Sequence, residues 1–251
     1  MNDYSFQGKI NLGTRRTGGL PGALFWVGDA PKCEVSLKTE TSDRTESYSG
    51  KRLQSARMVK TTKAEISLTL NWMDAKTLGL GLYATTVSRV AGTVTGEQFP
   101  ATVAVGDVIV LAKGGASSVV LTDSTGTPVS LVAGTHYTAD PNNAGLITIK
   151  SLTGLTQPIK AAYSYSAAQV APLFTATAPE RYLFLDGINT VTGEKVNMHL
   201  YRVQFDPADN ISLINEDFGQ MTLKGAVLYD SEAANDPELG GFGKIELPQA
   251  A

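Results

Sequence analysis

Two histidines, one cysteine and one glycine-rich stretch are the parts of this sequence whose residue types could do chemistry. His136 stands four residues before Asp140 in "HYTAD". On a strand that spacing gives a weak pair of metal ligands, and no third ligand is evident along the chain. His199 sits within "EKVNMHLYRVQF" (194–205), which reads as a strand, so a packed or surface side chain is expected there rather than a general base. Cys33 falls on the apolar side of "KCEVSLKTE" (32–40) and reads as a small core residue, not a nucleophile. "LGLGLYA" (78–84) begins like a dinucleotide fingerprint but lacks the third glycine and the strand–turn context. "DPNNAG" (140–145) is a turn without the ligand spacing or terminal glutamate of a calcium loop. No phosphate-binding loop and no Gly-x-Ser-x-Gly elbow occurs. No catalytic, cofactor-binding or metal-binding set emerges, and the expectation is a protein that is not an enzyme and carries no cofactor.

The elements available to position any site are strands. Gly (25) and Pro (11) punctuate short segments crowded with Val, Thr, Ile and Tyr, a texture that favours strands joined by turns over a helical bundle. A length of 251 residues, 42% of them hydrophobic, allows one large β domain or two ordinary ones, with enough apolar material to bury a core. The net charge is −3 and no block of Lys and Arg is long enough to mark a nucleic-acid binder. The opening "MNDYSFQGKINLGTRRTGG" lacks the basic-then-apolar pattern of a secretory signal, and no apolar run is long enough to cross a membrane. A single cysteine excludes an internal disulfide framework. These features predict synthesis and assembly in a reducing cytoplasm, away from membranes.

Along the chain, residues 1–20 read as a polar arm, a frayed terminus in the plainest view. "ALFWVG" (23–28) reads as a fully buried strand. "KCEVSLKTE" alternates cleanly, Cys33, Val35 and Leu37 on one side and Glu34, Ser36 and Lys38 on the other. "VKTTKAEISLTLN" (59–71) alternates again, with Ala64, Ile66, Leu68 and Leu70 apolar. Asn71 is the expected cap of a short helix over 72–83, with Asp74 in its first turn and Gly79 and Gly81 weakening its end. From about Ala91 the texture changes to Gly, Thr, Ser, Val and Ala, without Trp or Arg. Short strands are predicted there at 107–112, 117–122, 136–140, 145–150 and 160–166, the outline of a small β-sandwich. The first texture returns after Pro179: a hairpin of 180–188 and 194–205, a short helix over 207–211 capped by Asp206, a last strand within 219–230, and a C-terminal arm. Within 194–205 the apolar phase switches from Val196, Met198 and Leu200 to Tyr201, Val203 and Phe205, as a β-bulge requires. The organisation predicted is one discontinuous β domain (1–90 and 175–251) carrying an inserted β-module (91–174).

One stretch fits no element. "TSDRTESYSGKRLQSAR" (41–57) separates the two most regular strands and holds Arg44, Lys51, Arg52 and Arg57 against Asp43 and Glu46. Loops this long are functional or disordered. Two readings stand: a disordered surface loop, or a loop ordered by a neighbouring subunit, for which Tyr48 with Arg52 and Arg57 is suitable interface chemistry.

The order of these segments resembles a known family. The polar arm, "KCEVSLKTE", the long polar loop, "VKTTKAEISLTLN", the helix opening "WMDAKTL", the inserted module, "EKVNMHLYRVQF" and "FGQMTLKGAVLYD" together look like the major tail tube proteins of long-tailed, siphovirus-type bacteriophages. The inserted segment, with "GTHYTADPNNAGLITIK", is similar to β-modules that decorate phage tail proteins. The resemblance implies a tail-tube-type β-sandwich or barrel with a flanking short α-helix, plus an outward-facing module. It implies homohexameric rings stacked into a tube that conducts the genome during ejection, located in the virion tail. Tape measure, tail terminator and distal tail proteins would be partners, and DNA would pass without specific binding. In that family the long loop contacts the adjacent ring, which makes Arg44, Glu46, Tyr48, Lys51, Arg52 and Arg57 the expected contact residues. The polar side of the two alternating strands then supplies lumen candidates: Glu34, Ser36, Glu65, Ser67 and Thr69. The alternatives are another phage tail or capsid decoration protein, or a β-rich surface adhesin subunit, which would carry a secretion signal.

Overall fold

The computed structural model describes residues 3–140 and 145–248, so residues 141–144 of the turn expected at 140–145 lie outside it. The chain is mainly β, 49% strand against 4% helix, with several sheets. Residues up to Thr86 together with those from Ala171 form one compact unit, and Val87–Val170 form a second. In chain order the first unit opens with β1 (Phe6–Arg16), β2 (Leu20–Trp26), β3 (Lys32–Thr45), β4 (Gln54–Leu70) and helix α1 (Ala75–Gly81). The second unit contains β5 (Val87–Arg89), β6 (Gly92–Gln98), β7 (Val108–Val110), β8 (Ala116–Thr122), β9 (Tyr137–Ala139), β10 (Leu146–Ile149), β11 (Lys160–Tyr165) and β12 (Ala168–Val170). The chain then returns through β13 (Glu180–Asn189), β14 (Lys195–Phe205), β15 (Met221–Val227) and β16 (Gly243–Glu246).

The first unit is an antiparallel sheet in the order β2-β1-β13-β14-β15-β4-β3, with β16 also paired to β14. β14 is its pivot. One edge follows β13; along the other, Asn197–Leu200 pair with β16 and Val203–Phe205 pair with β15. Arg181 faces Val203 whereas Leu183 faces Leu200, so β14 carries one extra residue between them. This is the bulge that the switch in apolar phase demands: Leu200 and Tyr201 are consecutive and both buried. Leu200 joins the main core with Ile10, Leu12, Ile66, Leu68, Leu183, Phe205 and Leu223. Tyr201 turns to the other side and packs with Tyr182 and Ala233 beneath the C-terminal segment.

Several expectations fail for physical reasons. Within the expected polar arm, Phe6–Arg16 form an inner strand, β1, between β2 and β13; of its residues Ile10 and Leu12 join the main core, too few to show a period. At Gly13 an added Cβ would stand 2.1 Å from the Ala23 carbonyl oxygen, so the glycine is what lets β1 and β2 approach. β2 is an exposed edge strand, not a fully buried one, with Leu24 and Trp26 open to solvent. An unbroken apolar run reads the same in either setting. The helix begins three residues later than expected because Asp74, not Asn71, caps it. The Asp74 Oδ1 accepts the Lys76 and Thr77 N–H at 2.9 and 2.7 Å, and the Thr77 hydroxyl accepts the Asp74 N–H at 2.9 Å. Gly81 ends that helix against Met221, whose sulfur would lie 2.8 Å from an added Cβ. No helix forms over 207–211: the Asp206 and Ala208 N–H donate to Lys224 and Gly81 carbonyls at 2.7 and 2.8 Å, long-range partners that replace a first turn. Within the expected C-terminal arm, Ala233–Asn235 form a short 3-10 turn and Gly243–Glu246 form β16.

In the second unit, β6-β11-β8 and β7-β10-β9 form two three-stranded sheets, with β12-β5 a two-stranded ribbon. Both larger sheets feed one core that includes Phe99, Leu111, Leu121, Ile147, Ile159 and Tyr163. Strands occur within all five predicted segments; β5, β6 and β12 are additional. The boundaries fall at 86/87 and 170/171 rather than at 90/91 and 174/175, because β5 pairs with β12 and so belongs to this unit.

Candidate assembly surfaces

The stretch expected to be a long loop is mostly a ribbon. β3 and β4 pair from Lys32 opposite Thr69 out to Thr45 opposite Gln54, leaving only Glu46–Leu53 as the turn. Every β4 residue from Gln54 to Lys63 is exposed, so the outer half of the hairpin has two wet faces and no apolar period by which sequence could reveal it. The turn is held from inside. The Glu46 N–H donates to the Leu53 carbonyl at 2.8 Å, and the buried Glu46 carboxylate accepts the Ser49 N–H and hydroxyl. Gly50 and Arg52 adopt left-handed backbone, φ 76 and 52, to complete the reversal. Asp43 lies opposite Arg57 and pairs with it at 3.5 Å; Arg57 also donates to the Thr41 hydroxyl at 3.2 Å. Of the six expected contact residues, Arg44, Tyr48, Lys51 and Arg52 are thus exposed around the tip, Arg57 is tied to Asp43, and Glu46 faces inward. Tyr48 is 89% exposed, and Arg44, Lys51 and Arg52 have no ion-pair partner among the described residues.

The five residues proposed for the polar side do share one face. Glu34 pairs with Ser67, Ser36 with Glu65, and Thr69 lies opposite Lys32 and Thr222. The carboxylates are not alone, however. Lys32 reaches Glu34 at 3.1 Å, Lys38 reaches Glu65 at 2.5 Å, and Lys63 reaches Glu40 at 2.6 Å. That last contact holds Glu40 below the usual carboxylate range and raises Lys63. The lysines share the period-2 parity of the glutamates, a signal the sequence already contained. Behind this face, Cys33 packs against the main core. Burial, and then the Glu34 charge, push its thiol up to about 11.

The same face continues through Gln204 to a half-buried ion cluster where β1, β13 and β14 meet. Glu180 accepts from Arg15 Nε at 2.6 Å and Arg202 Nη2 at 2.7 Å, while Arg15 also reaches the buried Asp230 at 3.4 Å. The Arg202 hydrogen bond is the largest cause holding Glu180 below its ordinary range. His199 is a packed residue: its Nδ1 shares a 2.7 Å hydrogen bond with the Tyr182 hydroxyl, and burial keeps it less basic than usual. His136 Nδ1 accepts the Val132 N–H at 2.9 Å. Among the described residues no group of three or more His, Cys, Asp or Glu could hold a metal ion, and no helix is long and apolar enough to cross a membrane.

Two apolar surfaces were not anticipated. On the β2 edge, Trp26 and Trp72 meet edge-to-face at 5.1 Å, with Lys9 5.6 Å from the Trp26 ring, and both indoles are about half exposed. In the connection from β14 to β15, Leu213, Ile214 and Phe218 are 89%, 95% and 102% exposed beside Glu216 and Asp217. Large apolar residues outside any strand period were the available signal for the second surface.

Fold and surfaces together define a mainly β protein of two units that presents a long bare hairpin. The chain belongs to the family described as "protein of unknown function UCP028589", which it matches over residues 3–246. No curated protein matches it.

Proposed function

We propose that this chain is a structural virion protein, the major tail tube subunit of a long-tailed, siphovirus-type bacteriophage. Six copies close into a ring, and rings stack into the tube that conducts the genome. The observation that carries this reading is the outer half of the β3–β4 hairpin, which projects as a two-stranded ribbon with no core beneath it. A bare hairpin is at best marginally stable in water, so a long one with an aromatic and basic tip is suited to being covered by another copy. The polar face is the candidate lumen wall. Its lysines and glutamates are paired, so it offers passing DNA no block of unpaired cations to grip. The β2 edge, with Trp26 and Trp72, is the candidate lateral contact within a ring, and the second unit is the outward-facing module. Assembly takes place in the host cytoplasm alongside tape measure, terminator and distal tail proteins.

Negative-stain microscopy of the concentrated protein tests the reading. Rings or hollow tubes are expected. A dispersed monomer at every concentration, with neither form, would overturn it.

A further inference from the structure

The hairpin tip has a chemical complement elsewhere in the same unit. The tip carries Arg44, Lys51 and Arg52 without ion-pair partners among the described residues, around the exposed Tyr48. The connection over residues 206–220 contains four acidic residues, Asp206, Asp209, Glu216 and Asp217, and no Lys or Arg. Asp209 is engaged by Lys224 at 2.5 Å, whereas Glu216 and Asp217 have no ion pair among the described residues. Beside them stand Leu213, Ile214 and Phe218, almost wholly exposed. One patch is therefore basic with an aromatic anchor, and the other is acidic with three apolar anchors. That is the pairing of charge and desolvated anchor that specific interfaces use.

Position decides what kind of contact this can be. Met221, where the connection ends, pairs with Leu70 at the inner end of β4, and Gln220 donates to Asn71 at 3.0 Å. The tip lies beyond Gln54 at the opposite end of that strand. A strand from Gln54 to Leu70 spans about 50 Å at its usual rise per residue, so one chain cannot fold its tip onto its own connection. Two copies can. The contact joins unlike patches at opposite ends of the same strands, so it is heterologous and leaves a free tip and a free connection at the two ends of any stack.

We propose that the connection over residues 206–220 is the receptor for the β3–β4 hairpin tip of a second copy of this chain. Leu213, Ile214 and Phe218 receive Tyr48, and Glu216 and Asp217 face Arg44, Lys51 and Arg52. This rests on the stacking reading above and names the surface on which stacking occurs.

Charge reversal and cross-linking test it. Glu216→Lys with Asp217→Lys is expected to raise the concentration needed for assembly about tenfold or more, since like charges then face each other. Adding Arg44→Glu and Arg52→Glu to that chain restores assembly with its own kind but not with the wild type. A mixture of Tyr48→Cys and Phe218→Cys chains is expected to form, on oxidation, a disulfide between position 48 of one and position 218 of the other, located by peptide mass mapping. Tubes that form normally from the Lys variant and give no such cross-link would overturn this contact while leaving the tube reading standing. A wild-type protein that never stacks would overturn both. Should the Lys variant fail to fold, the cross-link alone decides.

Discussion

Glu180 shows how much of this fold is fixed by single polar groups. Its carboxylate ties β1 to β14 through Arg15 and Arg202, and those contacts hold its pKa below the ordinary glutamate range. A carboxylate with a depressed folded pKa contributes stability that is complete above the unfolded value. That contribution is lost as pH falls through the folded value. Glu180→Gln is therefore expected to lower stability by about 1–2 kcal/mol at neutral pH, a modest loss because the cluster is partly open to solvent. It should also flatten the acid side of the stability profile, as read by urea melts between pH 7 and 3; an unchanged profile would mean that the cluster contributes nothing. None of this was visible in the chain, since Arg15, Glu180, Arg202 and Asp230 are far apart in sequence and have no common period. Cys33 is the opposite case. Strict alternation with Val35 placed it against the core, and alternation is a local property. Leu37 marks the limit of that logic, because the core ends beneath β3 before the alternation does and leaves it 79% exposed.

At the scale of elements, strands that bury one face were legible and strands that bury none were not. The core-facing half of β4 and the phase switch in β14 were evident in apolar spacing, and the switch located the bulge correctly. β1, β16 and the outer ribbon carry too few inward side chains to show a period, so their backbone pairing emerges only from the fold. The ribbon's independence of the core yields a prediction. Replacing Thr41–Arg57 with a short Gly-Ser turn is expected to leave the first unit folded, with a melting temperature within a few degrees of the wild type, because among the described residues no core cluster includes one from this stretch. The same variant should no longer elongate. Circular dichroism and sedimentation check the two halves separately: loss of fold would show that the ribbon is part of the core, and normal elongation would remove its role in stacking.

At the scale of the whole molecule, the sequence changes texture near Ala91, whereas the compact units divide at 86/87 and 170/171. β5 and β12 are three residues each, too short for any periodic signature. Their pairing nonetheless sets the architecture. Val87 lies directly opposite Val170, so the chain enters and leaves the second unit at adjacent points. The first unit is closed on its own side, where the Ala176 N–H donates to the Tyr83 carbonyl at 2.8 Å and the Phe174 N–H to that of Leu82 at 3.0 Å. Excising 87–170 and joining Thr86 to Ala171 through a short Gly-Ser linker is expected to leave a folded, ring-forming remainder, and residues 87–170 alone should fold as a soluble domain. An aggregated remainder would show that the two units are one folding entity. The zipped pair of strands also has a practical meaning. Antiparallel partners stand about 5 Å apart. The second unit's two ends therefore stand one strand spacing apart, a gap that a linker of very few residues can close.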